Sequence, residues 1–167
     1  MRSPDSKIMS LDEVASAREA WRKRGGRVVL TNGCYDLLHR GHAEYLYRAR
    51  RLGTALIVAV NTDESIRAIK GPARPLIGEA DRLYMVASLA CVDAVTPFGT
   101  AAEHTACGLI ERLRPDIYAK GGDYTPATLV PSEQRLLVSL GIRLELLPPV
   151  SGFSTTDLIR RAREIGG

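Results

Sequence analysis

Past residue 26 the chain alternates two hydrophobic rhythms. Short unbroken apolar runs, such as Val28-Val29-Leu30 and the six residues from Ala55 to Val60, are separated by segments whose apolar residues recur every three or four positions. An unbroken run of four to eight residues suits a strand covered on both faces, and a period near 3.6 suits a helix packed along one stripe. Strands are therefore predicted over 27–31, 55–60, 92–96, 116–119 and 142–147, and helices over 41–52, 63–69, 79–90, 102–113, 131–140 and 155–165. Two of the helical stripes are Leu83, Val86, Ala87 and Ala90, and Ala102, Ala106, Leu109, Ile110 and Leu113. Strands and helices in regular alternation imply an α/β fold, a five-stranded parallel sheet with helices on both faces.

Ahead of this core, Ser10-Leu11-Asp12-Glu13 forms the S-x-x-E pattern in which a serine and a glutamate satisfy each other's free backbone N–H groups. Val14, Ala17 and Trp21 follow at helical spacing and Gly25-Gly26 ends the segment. Residues 1–26 thus read as a leading segment and helix, and 27–167 as a Rossmann-like core, together one domain over 1–167. A chain of 167 residues buries about 70% of the surface its unfolded form exposes, enough for a core without staples.

Composition narrows the chemistry only slightly. The net charge of +4 favours anionic ligands, but the excess is spread along the chain, so a phosphorylated small molecule satisfies it and nucleic acid is not implied. Cys34, Cys91 and Cys107 are odd in number and lack C-x-x-C spacing, which supports neither a disulfide framework nor a zinc cluster. No run approaches the roughly 18 apolar residues of a membrane-spanning helix, and 2–7 is polar, so the expectation is a cytoplasmic protein with no membrane partner.

The unusual polar residues fall just after predicted strand ends, where ligands bind in open α/β sheets. Thr31, Asn32 and Gly33 follow the first strand, Asn61 and Asp63 the second, and Lys120, Gly121, Gly122, Asp123 and Tyr124 the fourth. Ser154, Thr155 and Thr156 precede the last helix, beyond the fifth. Residues 31–42, T-N-G-C-Y-D-L-L-H-R-G-H, combine a turn glycine, the carboxylate of Asp36 and two imidazoles, His39 and His42, around Gly41. Imidazoles and free N–H groups at a helix N-terminus make an anion site, and glycine permits close approach of the backbone. Plain capping competes with that reading for the histidines and for the hydroxyl triplet. Lys70, Arg74, Arg82 and Lys120 are cations in or beside the two Gly/Pro-rich loops, 70–78 and 120–130. Asp93 and Asp116 read as turn and strand-start residues. The two histidines lack a third ligand at zinc spacing, so no metal is assigned to protein side chains; Asp36 and Asp63 are the candidates for touching a hydrated magnesium through nucleotide phosphates. The chain has no G-x-G-x-x-G, no G-x-x-x-x-G-K-[ST] and no G-x-S-x-G, which disfavours a dinucleotide oxidoreductase, a P-loop NTPase and an α/β-hydrolase.

The H-x-G-H ending of 31–42 resembles the nucleotidyltransferase superfamily, which includes cytidylyltransferases, pantetheine-phosphate adenylyltransferase and class I aminoacyl-tRNA synthetases. With V-N-T-D at 60–63, K-G-x-x-R-P at 70–75, Arg82, V-D-A-V at 92–95, R-P-D at 114–116, K-G-G-D-Y at 120–124 and S-T-T at 154–156, the succession resembles the heptose 1-phosphate adenylyltransferase family. That activity is also found as the C-terminal domain of a bifunctional heptose kinase/adenylyltransferase, and this chain reads as a stand-alone form. The resemblance implies a Rossmann-like nucleotidyltransferase fold and transfer of AMP from ATP, with magnesium, to D-glycero-β-D-manno-heptose 1-phosphate for lipopolysaccharide core synthesis. It implies a homo-oligomer. His39, His42 and Lys70 would be catalytic. Thr31, Asn32, Gly33, Gly41, Lys120, Gly121, Gly122, Ser154, Thr155 and Thr156 would bind nucleotide and phosphate. Asp36, Asn61, Asp63, Arg74, Arg82, Asp123 and Tyr124 would bind substrate. The chain departs from the family pattern at 98–106 and 127–133, where the acceptor would be read. Cytidylyl or guanylyl transfer to another sugar or polyol phosphate, and a non-catalytic nucleotide-sensing domain, are the competing readings.

Overall fold

The structure, a computed structural model, describes residues 2–122, 124–125 and 128–165. Its centre is a parallel sheet of β1 (Val28–Gly33), β2 (Ala55–Asn61), β3 (Ala94–Phe98), β4 (Ile117–Gly121) and β5 (Arg143–Leu147) in the order β3-β2-β1-β4-β5. The order reverses direction at β1, so β1 and β4 part at their carboxyl ends and open a crevice. The helices are α1 (Leu11–Lys23), α2 (Arg40–Arg50), α3 (Asp63–Lys70), α4 (Glu79–Ala87), α5 (Cys107–Leu113), α6 (Pro131–Ser139) and α7 (Thr155–Ile165).

Alternate residues of each strand feed two cores. Val28, Leu30, Ile57 and Ala94 face a layer that includes Val14 of α1, Leu109, Ile110 and Leu113 of α5, and Leu137 of α6. Val29, Leu56, Val58 and Val95 face Leu46 and Ala49 of α2 and Leu83 and Val86 of α4. Burial on both faces is why these strands carry unbroken apolar runs. The leading helix starts as its sequence requires: Glu13 N–H donates to Ser10 Oγ, and Ser10 N–H donates to Glu13 Oε2 at 2.8 Å. At the opposite edge from the crevice, Asp116 accepts from Val28 N–H at 2.8 Å and Asp93 from Leu56 N–H at 2.8 Å. These two aspartates therefore start strands, as the sequence suggests.

Several boundaries differ from expectation, among them the end of α4, at Ala87 rather than 90, and the end of β4, at Gly121 rather than 119. β1 runs two residues further, through Asn32 and Gly33, carrying the amide of Asn32 to the sheet edge. β3 begins at Ala94 and includes Pro97, which an edge strand tolerates because a missing N–H there breaks no ladder. α5 begins at Cys107 rather than 102, because 99–106 forms a loop in which Thr100 N–H donates to Glu103 O and Glu103 N–H to Thr100 Oγ1. The apolar stripe through Ala102 and Ala106 has the helical period but not the helix.

Candidate active site

A cavity of about 610 Å³ lies in the crevice beyond the carboxyl ends of β1 and β4. Of the residues singled out in the sequence, Asn32, Gly33, His39, Gly41, His42, Asn61, Lys70, Lys120, Gly121, Gly122, Tyr124, Ser154 and Thr155 line it. Asp123 lies outside the described residues.

One wall is the start of α2. His39 is its N-cap, and its Nδ1 accepts from His42 N–H at 3.4 Å, so capping and site placement are the same contact. The two imidazoles stack with centroids 3.9 Å apart and planes 22° apart. Phe153 stacks on His39 at 6.4 Å, and Tyr35 meets His42 edge-on at 5.3 Å. A Cβ on Gly41 would lie 2.9 Å from the His39 ring and 2.9 Å from Phe153 Cβ, so glycine is required here by the packing of the histidine itself. Burial, reinforced by the neighbouring His39, pushes His42 down to about 4, and burial also lowers His39. Both shifts favour neutral imidazole rings. An opposite charge within 4–6 Å favours the protonated form, so an arriving phosphate would draw protons onto them.

The facing wall is the start of α7. Ser154 Oγ accepts from Asp157 N–H at 3.0 Å, a cap, while Ser154 and Thr155 also line the cavity. Two helix N-termini thus converge on one space, each with its partial positive charge. Thr156 is exposed and does not line the cavity.

The floor is polar. Lys120, only 5% exposed, donates from Nζ to Asn32 Oδ1 at 2.8 Å and sits 5.1 Å and 5.0 Å from the centroids of the Tyr118 and Tyr124 rings. Glu133 Oε2 lies 3.7 Å from the ammonium. Burial lowers the Lys120 pKa and Glu133 opposes that shift. Tyr45 of α2 closes the floor, and a Cβ on Gly121 would collide with its ring. Lys70, the last residue of α3, reaches the cavity from its exposed side.

Several expected contacts belong instead to the scaffold. Thr31 is fully buried and its hydroxyl lies 2.6 Å from Tyr45 OH, which removes it from the phosphate surface. Arg82, 1% exposed, donates to the carbonyls of Ile77, Cys34 and Asn61 at 2.7–2.9 Å and to Asp63 Oδ1 at 2.7 Å. Asp36, 3% exposed, accepts from Leu76 and Ile77 N–H and from Arg74 Nε. Burial alone would raise its pKa, but the two backbone donors and the guanidinium outweigh burial and hold it below the ordinary value. Asp36, Asp63, Arg74 and Arg82 are therefore paired with one another and with the 71–78 loop, and none of them lines the cavity. No group of three or more His, Cys, Asp or Glu among the described residues could hold a metal ion. With Asp36 and Asp63 already paired, the donor set among the described residues does not fit a resident magnesium.

Sequence reasoning passed over Glu133, Tyr45, Tyr118, Cys34 and Phe153, all close to the cavity. Tyr118 and Lys120 stand two apart on β4 and hence share a face, which was the available signal for a polar floor.

A sequence model of the cytidylyltransferase-like family matches residues 30–161. The chain belongs to this family. Among its relatives, the bifunctional protein HldE of Syntrophotalea carbinolica is 50% identical over 157 residues, covering 94% of this chain and 31% of that protein. HldE of Geotalea uraniireducens is 48% identical over 159 residues, covering 95% of this chain and 31% of that protein. The chain thus spans less than a third of the length of these relatives. Among solved structures, a lipopolysaccharide core biosynthesis protein from Thermoplasma volcanium superposes with a TM-score of 0.60 at 28% identity, over 75% of this chain and 98% of that one. The match to the cytidylyltransferase-like family begins at Leu30 and so takes in both histidines, the cavity floor and the start of α7. No helix among the described residues is long and apolar enough to cross a membrane.

Proposed function

We propose that the chain is an adenylyltransferase that transfers AMP from ATP to D-glycero-β-D-manno-heptose 1-phosphate, releasing pyrophosphate. The observation that carries the reading is the convergence of two helix N-termini, the stacked His39–His42 pair and the cations Lys70 and Lys120 on one cavity. Such a site suits a polyphosphate whose charge is redistributed during reaction. The choice of heptose rests on the succession of motifs over 31–156 and on the likeness to a lipopolysaccharide core biosynthesis protein.

In this reading a phosphate oxygen of the sugar 1-phosphate attacks the α-phosphorus of ATP in line. The new P–O bond forms as the bond to the β-phosphate oxygen breaks, and pyrophosphate leaves with the electron pair. The attacking oxygen is already anionic, so neither a covalent enzyme intermediate nor a general base is required, and orientation with charge stabilisation is sufficient. His39, His42 and the N-terminus of α2 would hold the phosphates around the reacting centre, while Ser154 and Thr155 receive the far end of the triphosphate. Lys70 and Lys120 supply positive charge from the side and the floor. Magnesium would arrive bound to the triphosphate, held mainly by its oxygens and water.

The test is a pyrophosphate-release screen crossing the four nucleoside triphosphates with a panel of sugar 1-phosphates in magnesium buffer. The expected maximum is ATP with the β-anomer of heptose 1-phosphate, and His42→Ala should lower turnover about 10²–10³-fold with folding retained. A maximum with CTP or GTP would reassign the base. Nucleotide binding without pyrophosphate release from any pair would make the domain a sensor.

A further inference from the structure

We infer that Glu133 is a positioning residue that keeps Lys120 charged and in place for the substrate phosphates while tying the 99–106 loop to the same carboxylate. It lies third in α6, 2% exposed, and touches the cavity. Its two oxygens do different work. Oε1 accepts from Ala106 N–H at 2.8 Å, the residue that precedes α5 and lacks a side-chain cap of its own. That contact fixes the end of the loop that brings His104 and Thr105 to the cavity. Oε2 lies 3.3 Å from Tyr118 OH and 3.7 Å from Lys120 Nζ.

A buried ammonium loses hydration and tends to shed its proton unless a nearby anion opposes the loss. Among the described residues the titratable neighbours of Lys120 are Tyr118 on β4, Tyr124 just beyond it and Glu133 on α6, while Tyr45 on α2 packs against the adjoining Gly121. Burial raises the pKa of each of these three phenols, so they remain neutral. Glu133 is thus the carboxylate among the described residues that counters the burial of Lys120. At 3.7 Å the pair is not locked in a short hydrogen bond, and the ammonium donates instead to Asn32 Oδ1. With one of its three N–H donors on Asn32, the ammonium keeps others for an incoming phosphate. The phosphate partner in this inference rests on the function proposed above, whereas the charge and loop contacts do not.

The experiment therefore reads the protein without substrate. With ¹³C-labelled lysine, the Lys120 Cε resonance, assigned by its loss in Lys120→Met, is titrated in the wild type and in Glu133→Gln. The amide of this variant can still accept from Ala106 N–H. The expected result is a titration midpoint lower by about one pH unit or more in Glu133→Gln, with little change in Tm. Hydrogen exchange at Ala106 should stay slow in Glu133→Gln and become fast in Glu133→Leu. Coincident Lys120 midpoints would overturn the charge role, and unchanged Ala106 exchange in Glu133→Leu would overturn the loop role. Glu133→Asp keeps the charge on a shorter arm and should separate the two roles, retaining the Lys120 midpoint while speeding Ala106 exchange. It carries the test if Glu133→Gln does not fold. In the active enzyme the alkaline limb of kcat/KM should move down in Glu133→Gln by the same interval as the lysine. An unmoved limb beside a shifted lysine would remove phosphate as the partner of Lys120.

Discussion

Arg82 and Lys120 are both buried cations at the carboxyl edge of one sheet, and from sequence they look alike. The structure gives them opposite employment. Arg82 spends its planar fork on three carbonyls from separate segments and on Asp63, all at 2.7–2.9 Å, and it does not line the cavity. Among the described residues Lys120 makes one hydrogen bond, lies near two aromatic rings, and keeps its counter-charge at arm's length while lining the cavity. A guanidinium with five donors in fixed geometry is suited to joining chain segments, whereas an ammonium on a flexible stem is a movable point charge. Burial of a cation near a site is therefore not evidence for ligand contact. The count of committed donors separates the clamp from the working charge.

Removing each cation should break that comparison or strengthen it. Arg82→Leu leaves three carbonyls and Asp63 without their donor, and the expected loss is about 3–5 kcal/mol of stability. A thermal scan would read this as a fall in Tm on the order of 10 °C. Nucleotide affinity per folded molecule should be little changed. If Arg82→Leu were stable but failed to bind nucleotide, the division between clamp and working charge would collapse. Lys120→Met should do the reverse, lowering kcat/KM about 10²-fold in the pyrophosphate-release assay. Its Tm should fall less than that of Arg82→Leu, because Glu133 keeps the Ala106 N–H as a partner and the Tyr118 hydroxyl still donates to Asn32 Oδ1 at 2.7 Å.

The same contrast shows what could be read from the chain. The strands, their burial on both faces and the start of α1 were legible because each rests on a local pattern, an unbroken apolar run or the Ser10–Glu13 reciprocal cap. The histidine wall was legible because four of its determinants lie within 31–42. The internal bonding of Arg82 had a clue in the sequence: Val86 follows it by four residues on α4, and both face inward. Glu133 was hidden because an acid in the first turn of a helix has an ordinary explanation in the helix dipole, and its real partners, Ala106, Tyr118 and Lys120, are distant along the chain. Pairings between segments leave no periodic trace. The 99–106 loop departs from expectation for the converse reason, since Ala102 and Ala106 continue the helical period of Leu109 and Leu113 while hydrogen bonds between Thr100 and Glu103 hold a different conformation.

The smallest expected effect concerns Asp36, the acidic counterpart of the Arg82 clamp on the 71–78 loop. Its carboxylate takes two backbone N–H groups and Arg74 Nε, and these hold its pKa below the ordinary aspartate value despite burial. A carboxyl group with a depressed folded-state pKa binds protons more readily when unfolded. Its contribution to stability is therefore complete above the unfolded value and drains away as pH falls through the folded one. Asp36→Asn keeps an acceptor oxygen for the backbone but loses the charge, and should cost about 1–2 kcal/mol at pH 7. The difference in unfolding free energy between wild type and Asp36→Asn should be constant from pH 7 to about pH 5 and shrink below pH 4. Urea unfolding at a series of pH values would measure it. A difference that persisted undiminished in acid would mean that Asp36 acts through shape alone. A difference that already vanished near neutral pH would mean that its charge is exposed to ligand and solvent, as the sequence first suggested.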